Sequence, residues 1–182
     1  MPYKISNYPM KKIILAFSLL FSVLFLNAQT DTSVVNVNTS QIKIGTHTVT
    51  ANTTVADLIA AFGTPSRIEK IAGTDRHYIY DGLGLAFDCR PGTVEAVYFT
   101  FHADGDKKTA NAAIKSTLLI DNYTITDHTT VDQIKANTPI KAIMCFGELM
   151  CMSDPKQAGV TLILGYTKDK LITQVGIGLK KM

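Results

Sequence analysis

Five sulfur donors fall within nine residues of this 182-residue chain: Met144, Cys145, Met150, Cys151 and Met152. Thiolate and thioether together select soft ions such as Cu(I), so Cys145, Met150 and Cys151 make a candidate metal site. The same cysteines also carry structural readings. Cys145 and Cys151 can pair across a five-residue loop and leave Cys89 free, or Cys89 can pair with one of them. All three can equally be buried thiols among core methionines. The sequence leaves these readings open.

Acid–base chemistry has a thinner basis. His77, His102 and Asp75 would form a dyad if their strands were neighbours, because a general base must reach its partner by a hydrogen bond. Side chains alternate along a strand. With Ile79 facing the core, His77 points inward, while Arg76, Tyr78 and Tyr80 point outward. On the next two segments Leu83, Leu85, Phe87, Cys89, Val97, Phe99 and Phe101 point inward. The histidines then fall on opposite faces, which argues against a dyad. The same alternation gathers Arg76, Tyr78, Tyr80, Asp88, Tyr98 and His102 on one open face. Tyr and Arg combine large contact area with polar ends, so these six residues are the candidate partner-binding set.

No nucleophile elbow, His-Glu-x-x-His motif or phosphate loop is present, and no motif implies a cofactor. Asp104-Gly105-Asp106 lacks the third acidic position and distal Glu of a calcium loop, and reads as a polar turn. A hydrolase would need a pocket joining distant residues, and ranks third among the functions considered.

These residues need elements to hold them. Residues 44–60 align with 120–136 at a 76-residue offset, with seven of seventeen positions identical. In each segment an alternating run turns on a polar pair, Gly45-Thr46 or Asp121-Asn122, as a hairpin does. Thr53 or Thr54 then caps a helix with Val55, Leu58, Ile59 and Phe62 as its apolar stripe, stopped at Gly63; Val131, Ile134 and Pro139 mark the second. Strand patterns follow at Arg76–Tyr80, Leu83–Cys89 and Glu95–His102, then at Ile140–Cys145, Gly159–Tyr166 and Leu171–Leu179. Residues 106–117 carry Ala110, Ala113, Ile114 and Thr117 at helical spacing, which predicts a connecting helix. The expected fold is α+β: two tandem copies of a hairpin–helix–antiparallel sheet unit, with helices on one face of the sheet. The expected organisation is a signal peptide over 1–28, a linker over 29–40, repeat 1 over 41–103, a connecting helix over 104–116 and repeat 2 over 117–182.

The signal-peptide reading rests on Lys11-Lys12 followed by fourteen residues, Ile13 to Leu26, interrupted only by Ser18 and Ser22, and on Ala28 at a cleavage position. A membrane span needs about 20 apolar residues. Cleavage would remove three lysines and no acid, leaving fifteen basic and fifteen acidic residues, so the net charge of +3 falls to zero. A neutral domain without a basic cluster is a poor nucleic-acid binder.

The run Thr53-Thr54-Val55 to Ser66-Arg67, with Tyr78-Ile79-Tyr80, Leu83–Phe87 and Val94–Phe101, resembles the periplasmic domains of the SmpA/BamE outer-membrane-assembly lipoproteins and the β-lactamase inhibitor protein. It is also similar in layout to uncharacterised bacterial secreted domains. Asn52-Thr53-Thr54 replaces the usual Gly-Met-Thr, and the lipoprotein cysteine is absent. The resemblance implies a protein-binding scaffold. The expectation is a secreted or periplasmic, non-enzymatic module that binds a protein or cell-envelope component. Copper handling through segment 144–152 is the alternative.

Overall fold

The computed structural model describes residues 32–180 except Asp104, Asp106, Glu148, Pro155 and 157–159. The signal-peptide segment, and the acidic residues of the 104–106 turn, lie outside the described residues.

Among the described residues the chain forms thirteen strands and two short helices. The strands are β1 (Ser33–Asn36), β2 (Gln41–Ile44), β3 (His47–Val49), β4 (Arg67–Lys70), β5 (Arg76–Tyr80), β6 (Leu85–Cys89) and β7 (Val94–Thr100). They continue with β8 (Leu118–Ile120), β9 (Tyr123–Ile125), β10 (Ile143–Phe146), β11 (Met150–Ser153), β12 (Val160–Tyr166) and β13 (Ile172–Leu179). The helices are α1 (Val55–Phe62) and α2 (Val131–Asn137). Five strands form one sheet in the order β3-β2-β1-β8-β9, and eight form another in the order β10-β11-β12-β13-β7-β6-β5-β4.

The α+β expectation is therefore corrected: the fold is mostly β, and the helices are too few and short to make a layer over the sheet. The predicted copies do not stand as separate units either. The β1 strand lies between β2 and β8, and β7 pairs with β13, so both sheets draw strands from both halves of the chain. Two segments account for much of the error. Residues 33–36, expected as linker, form the central strand of the smaller sheet. Residues 106–117, expected as helix, form neither helix nor strand where described, because side chains from the sheet bind their carbonyls.

Local chemistry explains the elements that do match. The β2–β3 hairpin turns with Gly45 at φ 57°, and β8–β9 turns with Asp121 at φ 51°, a conformation Gly and Asp tolerate best. Each helix starts with a reciprocal capping box. The Asp57 amide donates to the Thr54 hydroxyl and the Thr54 amide to the Asp57 carboxylate; Gln133 and Thr130 do the same. Before each cap, Thr53 and Thr129 accept from the amides of Thr50 and Thr126, both at 2.9 Å. The first residue of each helix, Val55 or Val131, donates to the carbonyl of Gly92 or Lys170 in a turn of the large sheet. These bonds tie both helices to the sheet at equivalent places.

One core draws on both sheets and both helices, with Phe87, Phe99, Ile42, Leu58, Leu118 and Ile134 fully buried. On the large sheet its face is Leu85, Phe87, Val97, Phe99, Val175, Ile177, Leu162 and Leu164. The opposite face carries a smaller cluster of Ile79, Ala86 and Ala110 with Tyr98 against it. Ala110 belongs to the stretch after β7, hereafter the strap, which crosses this face. It comes so close that a Cβ on Gly84 would sit 2.4 Å from the Ile114 backbone nitrogen, and Gly84 has φ 68°. Gly84→Ala is thus expected to cost more than about 2 kcal/mol, read as a lowered urea midpoint.

Candidate functional site

The strand pairings decide which predicted contact residues share a face. Tyr78 lies opposite Phe87 and Tyr80 opposite Leu85, so both tyrosines belong to the core side of the sheet. Tyr80 is 3% exposed, and its ring meets Phe62 and Phe87 edge-on. Burial pushes its hydroxyl up to about 12. Tyr78 is half-buried against the same core. Arg76 shares that side, and its guanidinium donates to the carbonyls of Gly73 and Asp75 at 3.0 and 2.9 Å. His102 is exposed beyond the end of β7, with a ring nitrogen 3.3 Å from the Asp127 carbonyl. The expected six-residue face is not assembled.

Asp88 and Tyr98 lie on the other side, with His77. His77 faces Asp88 directly across the β5–β6 pair, and Nδ1 meets the Asp88 carboxylate. The other Asp88 oxygen accepts from the Tyr98 hydroxyl at 3.2 Å. Nε2 of His77 meets the carbonyl of Lys108 on the strap. His77 is only 5% exposed, and the Tyr98 ring lies 5.6 Å away. Burial, reinforced by the Asp88 charge, raises the Tyr98 hydroxyl well above its usual value. That ring rests on Gly176, where a Cβ would come within 2.6 Å of it. A cavity of about 270 Å³ opens beside the cluster, lined by Ile71, Lys108, Thr109 and Gln174.

The dyad considered from sequence does not form. Asp75 instead pairs with Arg90 at 3.0 Å, and Arg90 also reaches Glu95 at 2.9 Å. The His77–Asp88 pair has the orientation of a general base and its aspartate, yet the strap carbonyl occupies the nitrogen that would take a proton. Sequence could have found this pair by counting back from the Asp81–Gly84 turn: if Tyr80 opposes Leu85, then His77 opposes Asp88. Alternation alone hides the pair, because Ile79 is buried on the strap side of the sheet and not in the main core.

The sulfur-rich segment forms the β10–β11 hairpin at the edge of the large sheet. Cys145 and Cys151 sit opposite each other, with Cα atoms 3.9 Å apart, and form a disulfide; Cys89 is free and buried. This is the first of the cysteine pairings open to the sequence. The disulfide uses both thiols that the copper site of Cys145, Met150 and Cys151 would need. Around it the hairpin presents Met144, Phe146, Leu149 and Met150, exposed by 54, 48, 57 and 47%. The chain reverses with Gly147 at φ 64°. The signal in the sequence is the near-mirrored order Met-Cys-Phe-Gly-Glu-Leu-Met-Cys, which suits a stapled hairpin.

Burial pushes the Cys89 thiol up to about 12, and the thiolate is the reactive form. Alkylation followed by mass spectrometry is accordingly expected to add nothing to the native, unreduced protein. It should add one group after denaturation and three after denaturation with reduction.

Residues 34–135 match the family model described as Domain of unknown function (DUF7738). No curated protein matches. Among solved structures the fold is similar to an extracellular SCP-domain protein from Bacillus anthracis, at 15% identity and TM-score 0.45, over 70% of this chain and 43% of that one. A cysteine-rich secretory protein from Staphylococcus aureus is similar at 9% identity and TM-score 0.46, over 71% of this chain and 44% of that one. A DUF4309-family protein from Bacillus subtilis is similar at 15% identity and TM-score 0.43, over 70% of this chain and 78% of that one. The chain thus spans less than half the length of the first two. All three are of families other than the SmpA/BamE lipoproteins and the β-lactamase inhibitor protein. Among the described residues no helix is long and apolar enough to cross a membrane.

Proposed function

The chain belongs to the DUF7738 family, a domain of unknown function, and we propose that it is a secreted or periplasmic, non-enzymatic binding module that presents the β10–β11 hairpin to a protein partner. The observation that carries this reading is the concentration of four large, roughly half-exposed apolar side chains on one hairpin. Scattered apolar residues on a surface need no explanation, but a contiguous group points to a contact. The anchors are Phe146 and Met150, register partners on the two strands, with Met144 and Leu149 beside them.

Two further features support it. Among the described residues β10 has a neighbour on one side only, so its outer main-chain groups can accept an added strand. A lipid surface would leave those groups without partners, which favours protein. The disulfide fixes the hairpin before binding and so reduces the ordering cost of association. Disulfides persist in oxidising compartments, in agreement with the targeting segment read from the sequence.

A photo-activatable cross-linker at Leu149, used on intact cells, tests the surface. The expected result is one dominant protein adduct whose yield falls at least about tenfold in a Phe146→Ser/Met150→Ser variant. The stability of that variant should stay within about 0.5 kcal/mol of wild type, because neither side chain is buried. An adduct of unchanged yield in the variant would exclude the hairpin as the recognition surface.

A further inference from the structure

The Cys145–Cys151 disulfide has one open end and one closed end. Cys151 on β11 is fully buried, and so is Leu164 on β12, its register partner on the far side. Cys145 is exposed and belongs to β10, whose other side has no neighbouring strand among the described residues. The two cysteines face each other across the β10–β11 pair. The S–S bond therefore runs from the covered strand toward the edge of the sheet.

Thiol–disulfide exchange follows a line. The attacking thiolate approaches one sulfur from the side opposite the bond that breaks, and the other sulfur leaves with the electron pair. Approach to Cys145 comes from beyond the sheet edge. Approach to Cys151 would have to pass through β12 at Leu164. A cation also stands at the open end. Ile134 of α2 is fully buried, and the next residue, Lys135, carries its ammonium to 3.7 Å from Cys145 Sγ. A lysine at that distance attracts an anionic thiolate, and it favours the thiolate of Cys145 once the disulfide opens. Cys89 does not compete from inside the protein, since it is buried and burial raises its thiol.

We infer that the Cys145–Cys151 disulfide is an exchange site for small external thiols, in which Cys145 is the sulfur attacked, Cys151 the sulfur that leaves and Lys135 the cation that attracts the incoming thiolate. The thiolate forms a bond to Cys145 Sγ as the Cys145–Cys151 bond breaks. The electron pair of that bond goes to Cys151 Sγ, which takes a proton from water. A second thiolate then attacks the sulfur of the first and releases Cys145 as a thiolate beside Lys135. The protein disulfide has gained two electrons, and two thiols have been oxidised to one disulfide. The reverse reaction uses the same sulfur: Cys145 attacks and buried Cys151 resolves the mixed disulfide. This chemistry needs no partner protein, so it stands apart from the docking proposed for the hairpin.

Glutathione, added to the native protein at about pH 7.5, tests the assignment. Acid stops the exchange, and peptic fragments are then mapped by mass spectrometry. Glutathione is expected on Cys145 at least about tenfold more often than on Cys151. In Lys135→Met the rate of disulfide loss should fall roughly three- to tenfold, and Lys135→Arg should restore it to within about twofold, which separates charge from packing. Two results would overturn the exchange site: glutathione shared equally between the two cysteines, or disulfide loss no faster than global unfolding followed by circular dichroism. Either would mark a structural staple. A Lys135→Met rate equal to that of wild type would overturn the part given to Lys135.

Discussion

The antiparallel pairing of β7 with β13 is the contact on which the rest of the architecture depends. It joins the meander β4–β7 to the meander β10–β13 and makes one eight-stranded sheet from two four-stranded ones. Four strands alone would expose an edge on both sides; here the inner edges satisfy each other, and β4 and β10 become the outer ones. The pairing also needs thin side chains. Gly176 and Gly178 on β13 oppose Tyr98 and Ala96 on β7, which lets the Tyr98 ring lie across the neighbouring strand. From that position its hydroxyl reaches Asp88 and completes the cluster around His77.

What the sequence revealed and concealed follows from the range of the forces involved. Hairpin turns and capping boxes are set within a few residues, so Gly45, Asp121, Thr54 and Thr130 were legible. Alternation worked on β6 and β7, where one side chain of each pair meets the main core and the other does not. It failed on β5 because both sides are covered. Ile79 is fully buried, but beneath the strap rather than in the main core, so its hydrophobicity carried the correct burial and the wrong side. Nothing local in residues 107–114 indicates that their carbonyls will be taken by Arg67 and His77 from a strand some forty or thirty residues earlier. The helical spacing of Ala110, Ala113 and Ile114 had no such competitor within its own window.

Arg76, Tyr78 and Tyr80 have the residue types of a binding surface, yet the structure gives their polar ends local or core environments. Residue type measures what a side chain is able to contribute; register decides whether it remains available. Phe146 and Met150 come from a segment singled out for its sulfur, and the disulfide gives that sulfur a structural use. Pairing Cys145 with Cys151 fixes two opposed strands at a sheet edge. The residues on either side of each cysteine must then point away from the core, because alternation is strict across a paired position. The staple that removes the thiols from metal chemistry is thus the same constraint that turns Met144, Phe146 and Met150 outward.

The two ends of the large sheet consequently differ in how fully their chemistry is satisfied. Beneath the strap the polar cluster is linked throughout: Tyr98 is bonded to Asp88, Asp88 to His77, and His77 to Lys108. A cluster so closed has no nitrogen left to act as a base on a substrate, and its residue types alone would have suggested otherwise. At the β10 edge the main chain and the apolar side chains both lack counterparts among the described residues. The unsatisfied end is therefore the one on which the proposed recognition rests. At the closed end the cavity beside the cluster meets a ring whose two nitrogens already face Asp88 and the Lys108 carbonyl.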